Sequence, residues 1–210
     1  YGEWADYLIS LLKEYGIEFY AISGSSIGAI NGLLLLGCDM YRIEEAWKNI
    51  KKEVFLSIDD DDLFNGISSR EGLIELINEY VDFDRFFNSS VPLFVTIAKN
   101  NQAEYILLNN KTKQEVIDYV LASSAMPIIY GEVKINGNYY LDGGVIDNLP
   151  ITPLKNNDFE QIISIPLGKG YDTKDTIKIE PSVNLGGLIN GTLNFDKEDV
   201  ELKFKLGYLN

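Results

Sequence analysis

The chain has 210 residues and not one histidine. Histidine is the usual proton acceptor for a catalytic serine, so Ser-His-Asp hydrolases and Ser-His acyltransferases are excluded at once. Cysteine is almost as scarce. Cys38 stands alone and can form no internal disulfide, which fits a reducing compartment and an expected cytoplasmic location. Positive charge is also short: 18 Lys and Arg face 32 Asp and Glu, giving a net charge of −14. Nucleic acids and anionic bilayers are bound mainly through Lys and Arg, so this composition excludes nucleic acid as an expected partner. Long apolar runs are missing as well. The longest, Leu33–Cys38, falls far short of the ~20 residues a spanning helix requires, and no secretion signal is visible.

What is present reads as an α/β protein. Hydrophobic residues make up 46% and charged residues 24%, ordinary for a globular chain able to bury a substantial core. Trp4, Leu8, Leu11, Leu12 and Tyr15 recur at spacings of three and four, which predicts an amphipathic helix over 4–15 stopped by Gly16. Residues 17–22 (IEFYAI) predict a buried strand, and the apolar run beginning GAINGLLLLG predicts a buried helix. Ser68 with Glu71 and Thr112 with Glu115 are capping-box pairs that open two further helices, the second ending before Pro127. PLFVTIAK and EYILLN predict two strands joined by a turn around residues 100–102. EVKI, Asn136-Gly137 and NYYL form a hairpin signal. Residues 161–167 predict another buried strand, and a closing helix is expected to end near Gly207. Alternating strands and helices with no repeat or linker imply one domain over 1–210. Its architecture should be three-layered, with a mostly parallel sheet covered by helices.

Between the first strand and the apolar helix lies Gly24-Ser25-Ser26-Ile27-Gly28. This is the G-x-S-x-G form of a nucleophile elbow, in which a strained strand-to-helix turn exposes the serine. Gly24 and Gly28 are expected to be required because side chains there would strike neighbouring backbone. The N–H of Ile27, directly after the serine and at a helix N-terminus, is a candidate oxyanion donor.

With no histidine, the base must be something else. A lysine would need a pKa lowered by burial, and no lysine lies in an evidently buried segment. A carboxylate in an apolar site can have its pKa raised by burial and so gain basicity. The best placed is Asp142, after the strand NYYL and before Gly143 and Gly144, which allow a sharp turn and close backbone approach. Asp147 is a rival more suited to ordering the turn before Pro150. Asp59–Asp62 lacks the glycine an EF-hand requires and reads as a solvated loop, so no metal site is expected. The aromatic segment 81–88 suits helix packing better than an acyl channel.

Taken together, GSSIGAING and the distant LDGGVIDNLP resemble the patatin-like phospholipases, as does the stretch Ala122–Leu154 almost throughout. The resemblance implies a lipid acyl hydrolase working through a Ser-Asp dyad and an acyl-enzyme. Ser26 would be the nucleophile and Asp142 its partner, with Gly24, Ile27 and Gly28 shaping the elbow and oxyanion site and Gly143 and Gly144 supporting the second motif. No cofactor is implied. The expected partner is a lipid or ester substrate, with transient contact to a membrane or micelle. The family's glycine-rich oxyanion run, G-G-G-x-[KR]-G, has no counterpart in the residues given. The resemblance therefore implies a first strand and loop upstream of Tyr1, so that the chain is N-terminally incomplete. A catalytically silent lipid-binding domain on the same fold is the alternative reading.

Overall fold

The computed structural model describes residues 14–49, 70–127, 131–157, 161–166, 173–180 and 197–209, together with 159, 171, 182 and 183. The helix expected over 4–15, the acidic loop 59–62 and Ser68 of the first capping pair lie largely or wholly outside them. At the expected end of that helix, Gly16 adopts φ +77°, the left-handed conformation that glycine supplies after a helix. Tyr15 is exposed rather than part of a buried stripe.

Strand β1 covers Ile22–Ser25 and runs into helix α1, Ile27–Gly37. Helices α2 (Met40–Asn49), α3 (Glu71–Tyr80) and α4 (Phe83–Asn88) follow. Next come β2 (Leu93–Lys99) and β3 (Gln102–Leu107), joined through Asn100 and Asn101, both at positive φ as a tight hairpin demands. Helix α5 (Lys113–Ser123) starts at the expected capping box, with Thr112 and Glu115 bonding each other's backbone N–H. The hairpin β4 (Val133–Ile135) and β5 (Asn138–Asp142) turns at Asn136 and Gly137, again at positive φ. A 3-10 turn (Gly143–Val145), α6 (Thr152–Lys155), the short strands β6 (Ile163–Ser164) and β7 (Ile177–Lys178), and α7 (Lys197–Leu209) complete the described elements.

Helix α1 is apolar on nearly every side, and Ala29 through Leu36 are all buried, as the sequence implies. Each buried leucine in Leu33–Leu36 contributes about 1.5–3 kcal/mol to holding this helix on the sheet. Its neighbours in the core are Leu93 and Val95 of β2, Trp47 of α2, Ile77 of α3 and Val120 of α5. The aromatic segment serves the same core: Phe86 is fully buried and meets Phe87 edge-on at 5.1 Å.

Three expectations change. The first strand is Ile22–Ser25, not 17–22; Ile17 and Tyr20 are exposed, while the small residues of the elbow itself pair with β2. The sheet is mixed. β1 is parallel to β2, but β3 and β5 are antiparallel to β2 and β4 is antiparallel to β5; two of these pairings, β2–β3 and β4–β5, are short hairpins, which are antiparallel by construction. The strand at 161–167 is reduced to Ile163–Ser164 in a separate pairing with β7. Pro166, which has no N–H to give a ladder, follows two residues later. The closing helix α7 spans Lys197–Leu209 and so ends close to Gly207, where the sequence places its end. The α/β class itself stands, with a central sheet flanked by helices.

Candidate active site

Strand register brings the two motifs together. β3 pairs with β2 from Phe94 to Lys99 and occupies one edge of it. β1 and β5 share the other edge. β1 pairs up to Ser25 opposite Thr96, and β5 arrives from the opposite direction with Asp142 opposite Ile97. The residue after Ser25 therefore emerges where Asp142 ends its strand. Ser26 Oγ donates a hydrogen bond to Asp142 Oδ2 at 2.9 Å across 116 positions of sequence.

The elbow is strained. Ser26 has φ 54° and ψ −121°, an uncommon conformation for a non-glycine residue that costs of order 1–3 kcal/mol. Two close approaches hold it. A Cβ on Gly24 would lie 2.2 Å from the Gly28 carbonyl oxygen, and one on Gly143 would lie 2.2 Å from the Thr96 carbonyl oxygen. Only glycine lets strand, helix and 3-10 turn converge this tightly. Gly28 departs from expectation, since among the described residues a Cβ there meets nothing within 4 Å outside its own helix backbone. Gly28 lies, like the half-buried Ser26, partly open at the start of α1.

Ser26 caps α1 through its carbonyl, which accepts from Ala29 N–H at 2.9 Å, while its side chain makes no cap bond. The hydroxyl is thereby left for Asp142. The N–H groups of Ile27 and Gly28, in the first turn, have no intrahelical acceptor and mark the positive end of the helix.

Asp142 is 3% exposed. Its Oδ1 accepts the Gly144 N–H at 2.7 Å, which turns Oδ2 toward Ser26. Gly144 sits close below, where a Cβ would lie 2.7 Å from Asn148 Oδ1. Burial pushes the Asp142 carboxyl up from its ordinary 3.8 to about 6, against the opposing pull of the Gly144 N–H and the Ser26 hydroxyl. A carboxylate at that position is a far better proton acceptor than one in water.

The other candidates lie elsewhere. Asp147 accepts from the Tyr105 hydroxyl at 2.7 Å and from Leu149 N–H at 3.2 Å, so it orders the turn before Pro150. Among the described residues one lysine is buried after all: Lys203, 2% exposed, pairs with Asp199 at 2.5 Å on α7, a helix that packs on α2. Among the described residues no group of acidic, cysteine or histidine side chains is arranged to hold a metal. None of the described helices is long and apolar enough to cross a membrane.

Sequence reasoning passed over Ser123. The Ser26 N–H donates to Ser123 Oγ at 2.9 Å, and Ser123 is fully buried at the end of α5. The available signal was a serine three residues after Val120 on a helix whose Val116, Ile117 and Val120 face the core.

Residues 3–155 match the family model for patatin-like phospholipases. A probable lipid hydrolase of Invertebrate iridescent virus 6 is 27% identical over 168 residues, which cover 69% of this chain and 57% of that protein. The lysophospholipase NTE1 of Cryptococcus neoformans var. neoformans serotype D is 26% identical over 171 residues, 79% of this chain and 10% of the fungal protein. An uncharacterized NTE family protein of Mycobacterium bovis is 23% identical, with 84% of this chain and 48% of that one covered. The chain thus spans from a tenth to just over half the length of these relatives. Among solved structures, VipD from Legionella pneumophila matches over 85% of this chain and 47% of its own, with TM-score 0.42 and 16% identity.

Proposed function

The chain belongs to the patatin-like phospholipase family, and on that footing we propose that it is a serine hydrolase of lipid carboxylic esters, with Ser26 as nucleophile and Asp142 as general base. The observation that carries the reading is the 2.9 Å hydrogen bond from Ser26 Oγ to the buried Asp142 carboxylate.

The geometry supports a mechanism in which each step conserves its protons. Asp142 takes the Ser26 proton as Oγ attacks the ester carbonyl. The negative charge that forms on the carbonyl oxygen is met by the N–H groups of Ile27 and Gly28 at the positive end of α1. The carbon–oxygen bond to the alcohol then breaks, and Asp142 returns its proton to the departing alkoxide. Water repeats the sequence on the acyl-enzyme: Asp142 accepts a proton from water, the fatty acid leaves, and Ser26 recovers its hydrogen. A base with pKa near 6 is ionised at neutral pH and close enough to operating pH to pass the proton onward. No step calls for a cofactor. The lipid substrate would approach from a membrane or micelle surface, and the strongly acidic composition favours an uncharged or zwitterionic one.

Fluorophosphonate labelling with mass mapping of the adduct tests this reading, alongside turnover of a lysophospholipid. Labelling at Ser26 and release of fatty acid are expected. A correctly folded protein that neither labels nor turns over would leave a lipid-binding domain as the better account.

A further inference from the structure

The end of α5 grips both members of the Ser26–Asp142 pair. Ser123 Oγ accepts the Ser26 N–H at 2.9 Å, and two residues later the Ala125 carbonyl accepts the Asp142 N–H at 3.0 Å. Both Ser123 and Ala125 are fully buried. One three-residue segment therefore fixes the backbone on each side of the Oγ–Oδ2 contact, although Ser26 and Asp142 are themselves 116 positions apart.

We propose that Ser123 is a positioning residue for the reaction: its hydroxyl anchors the Ser26 peptide and, with the Ala125 carbonyl, sets the separation of nucleophile and base. The proposal rests on the reading of Ser26 as the nucleophile.

The local physics requires such an anchor. The β1 ladder ends at Ser25, and α1 begins at Ile27, so the Ser26 N–H belongs to neither element. Ser123 Oγ is the acceptor it has. The anchor is itself rigid: α5 is secured at its start by the Thr112–Glu115 capping box and along its length by the buried Val116 and Val120, and its last turn is closed by Ser124 N–H donating to Val120 O. Without the Ser123 hydroxyl, the part-buried N–H of Ser26, the residue held at φ 54°, is left unpaired. The elbow then relaxes toward a commoner conformation, which swings the Cα–Cβ bond and carries Oγ away from Oδ2. Ser123 touches no reacting atom; it acts through Ser26.

The test is steady-state hydrolysis of a p-nitrophenyl acyl ester by Ser123→Ala, Ser123→Cys and Ser124→Ala, with thermal unfolding to verify that each is folded. Ser123→Ala is expected to lower kcat about 10- to 100-fold, since sub-ångström to ångström misplacement of a reacting group has that effect, with KM within about a factor of two. Its acidic limb should also move to higher pH, because Asp142 loses the Ser26 hydroxyl that holds its carboxyl down. Ser123→Cys keeps the side-chain size but offers only a weak sulfur acceptor, so it should fall on the same side as alanine and carries the test if alanine does not fold. Ser124 Oγ is buried with no hydrogen-bond partner, so Ser124→Ala should keep wild-type kcat. A folded Ser123 variant with wild-type kcat and an unmoved acidic limb overturns the proposal, as does an equal loss in Ser124→Ala. Fluorophosphonate labelling run in parallel separates the two levels: no adduct on wild-type Ser26 refutes the nucleophile assignment, whereas labelling undiminished in the Ser123 variants refutes the anchor alone.

Discussion

Replacing Asp142 by asparagine should make this protein more stable at neutral pH while it removes the proposed base. Asp142 is 3% exposed, and burial raises its carboxyl from 3.8 to about 6. The folded state thus holds the Asp142 proton more tightly than the unfolded chain does. Below the unfolded value the group is neutral in both states and costs nothing. As pH rises through 3.8 toward 6 the unfolded chain ionises first, so stability falls across that window and is flat above it. The rise is roughly two pH units, and at 1.36 kcal/mol each the ionised carboxylate costs the fold about 3 kcal/mol at pH 8. Asparagine is neutral at every pH and has nearly the same shape. Its oxygen can still accept the Gly144 N–H, and its amide can donate to Ser26 Oγ. The gain is therefore expected to approach about 3 kcal/mol at pH 8 and to shrink to about half that at pH 5. For a chain of this length that corresponds to a rise in Tm of about 6–12 °C at the upper limit. Urea unfolding of both proteins at pH 5, 6 and 8, followed by circular dichroism, measures it. An Asp142→Asn variant less stable than wild type at pH 8, or a stability difference that does not change with pH, would refute the reasoning.

The same carboxyl should govern activity: kcat/KM is expected to fall about tenfold per pH unit below about 6, and the residual activity of Asp142→Asn should lack that limb. A limb near 6 would ordinarily suggest histidine, but this chain has none, so its survival in the variant would count directly against Asp142. Gly24→Ala should destabilise by about 1–3 kcal/mol or more and remove activity, because its Cβ would sit 2.2 Å from the Gly28 carbonyl oxygen; thermal unfolding and ester turnover report both effects. Gly28→Ala meets no such obstacle, and its Tm should stay near that of wild type.

The motifs were readable because their chemistry depends on residue type. G-x-S-x-G and the absence of histidine point to Ser26 and a carboxylate partner, and the resemblance of the paired motifs to the patatin-like phospholipases singles out Asp142. Capping and hairpin signals were equally local: Thr112 with Glu115 and Asn136-Gly137 stand where the sequence places them, since each satisfies its own backbone within four residues. Pairing was less legible. The apolar residues 17–21 look more strand-like than Ile22–Ser25, yet it is the latter that pairs with β2, because a ladder is made by backbone groups whose partner lies 71 positions away. The direction of β5 relative to β2 is likewise a long-range fact, and so the mixed character of the sheet had no local signature. Ser123 shows the same limit at the site. Its type is unremarkable, and its importance arises only when α5 and the elbow meet.

The central claim is that Ser26 and Asp142 act as one unit, and a double-mutant cycle on kcat/KM tests it most directly. Ser26→Ala, Asp142→Asn and the double variant are compared with wild type under identical conditions, using a lysophospholipid substrate. Each single change is expected to lower the rate by several orders of magnitude and the double variant to be little worse than either, because each alone already removes the shared step. Losses that add in the logarithm would contradict it, showing that the two residues do not serve the same proton transfer.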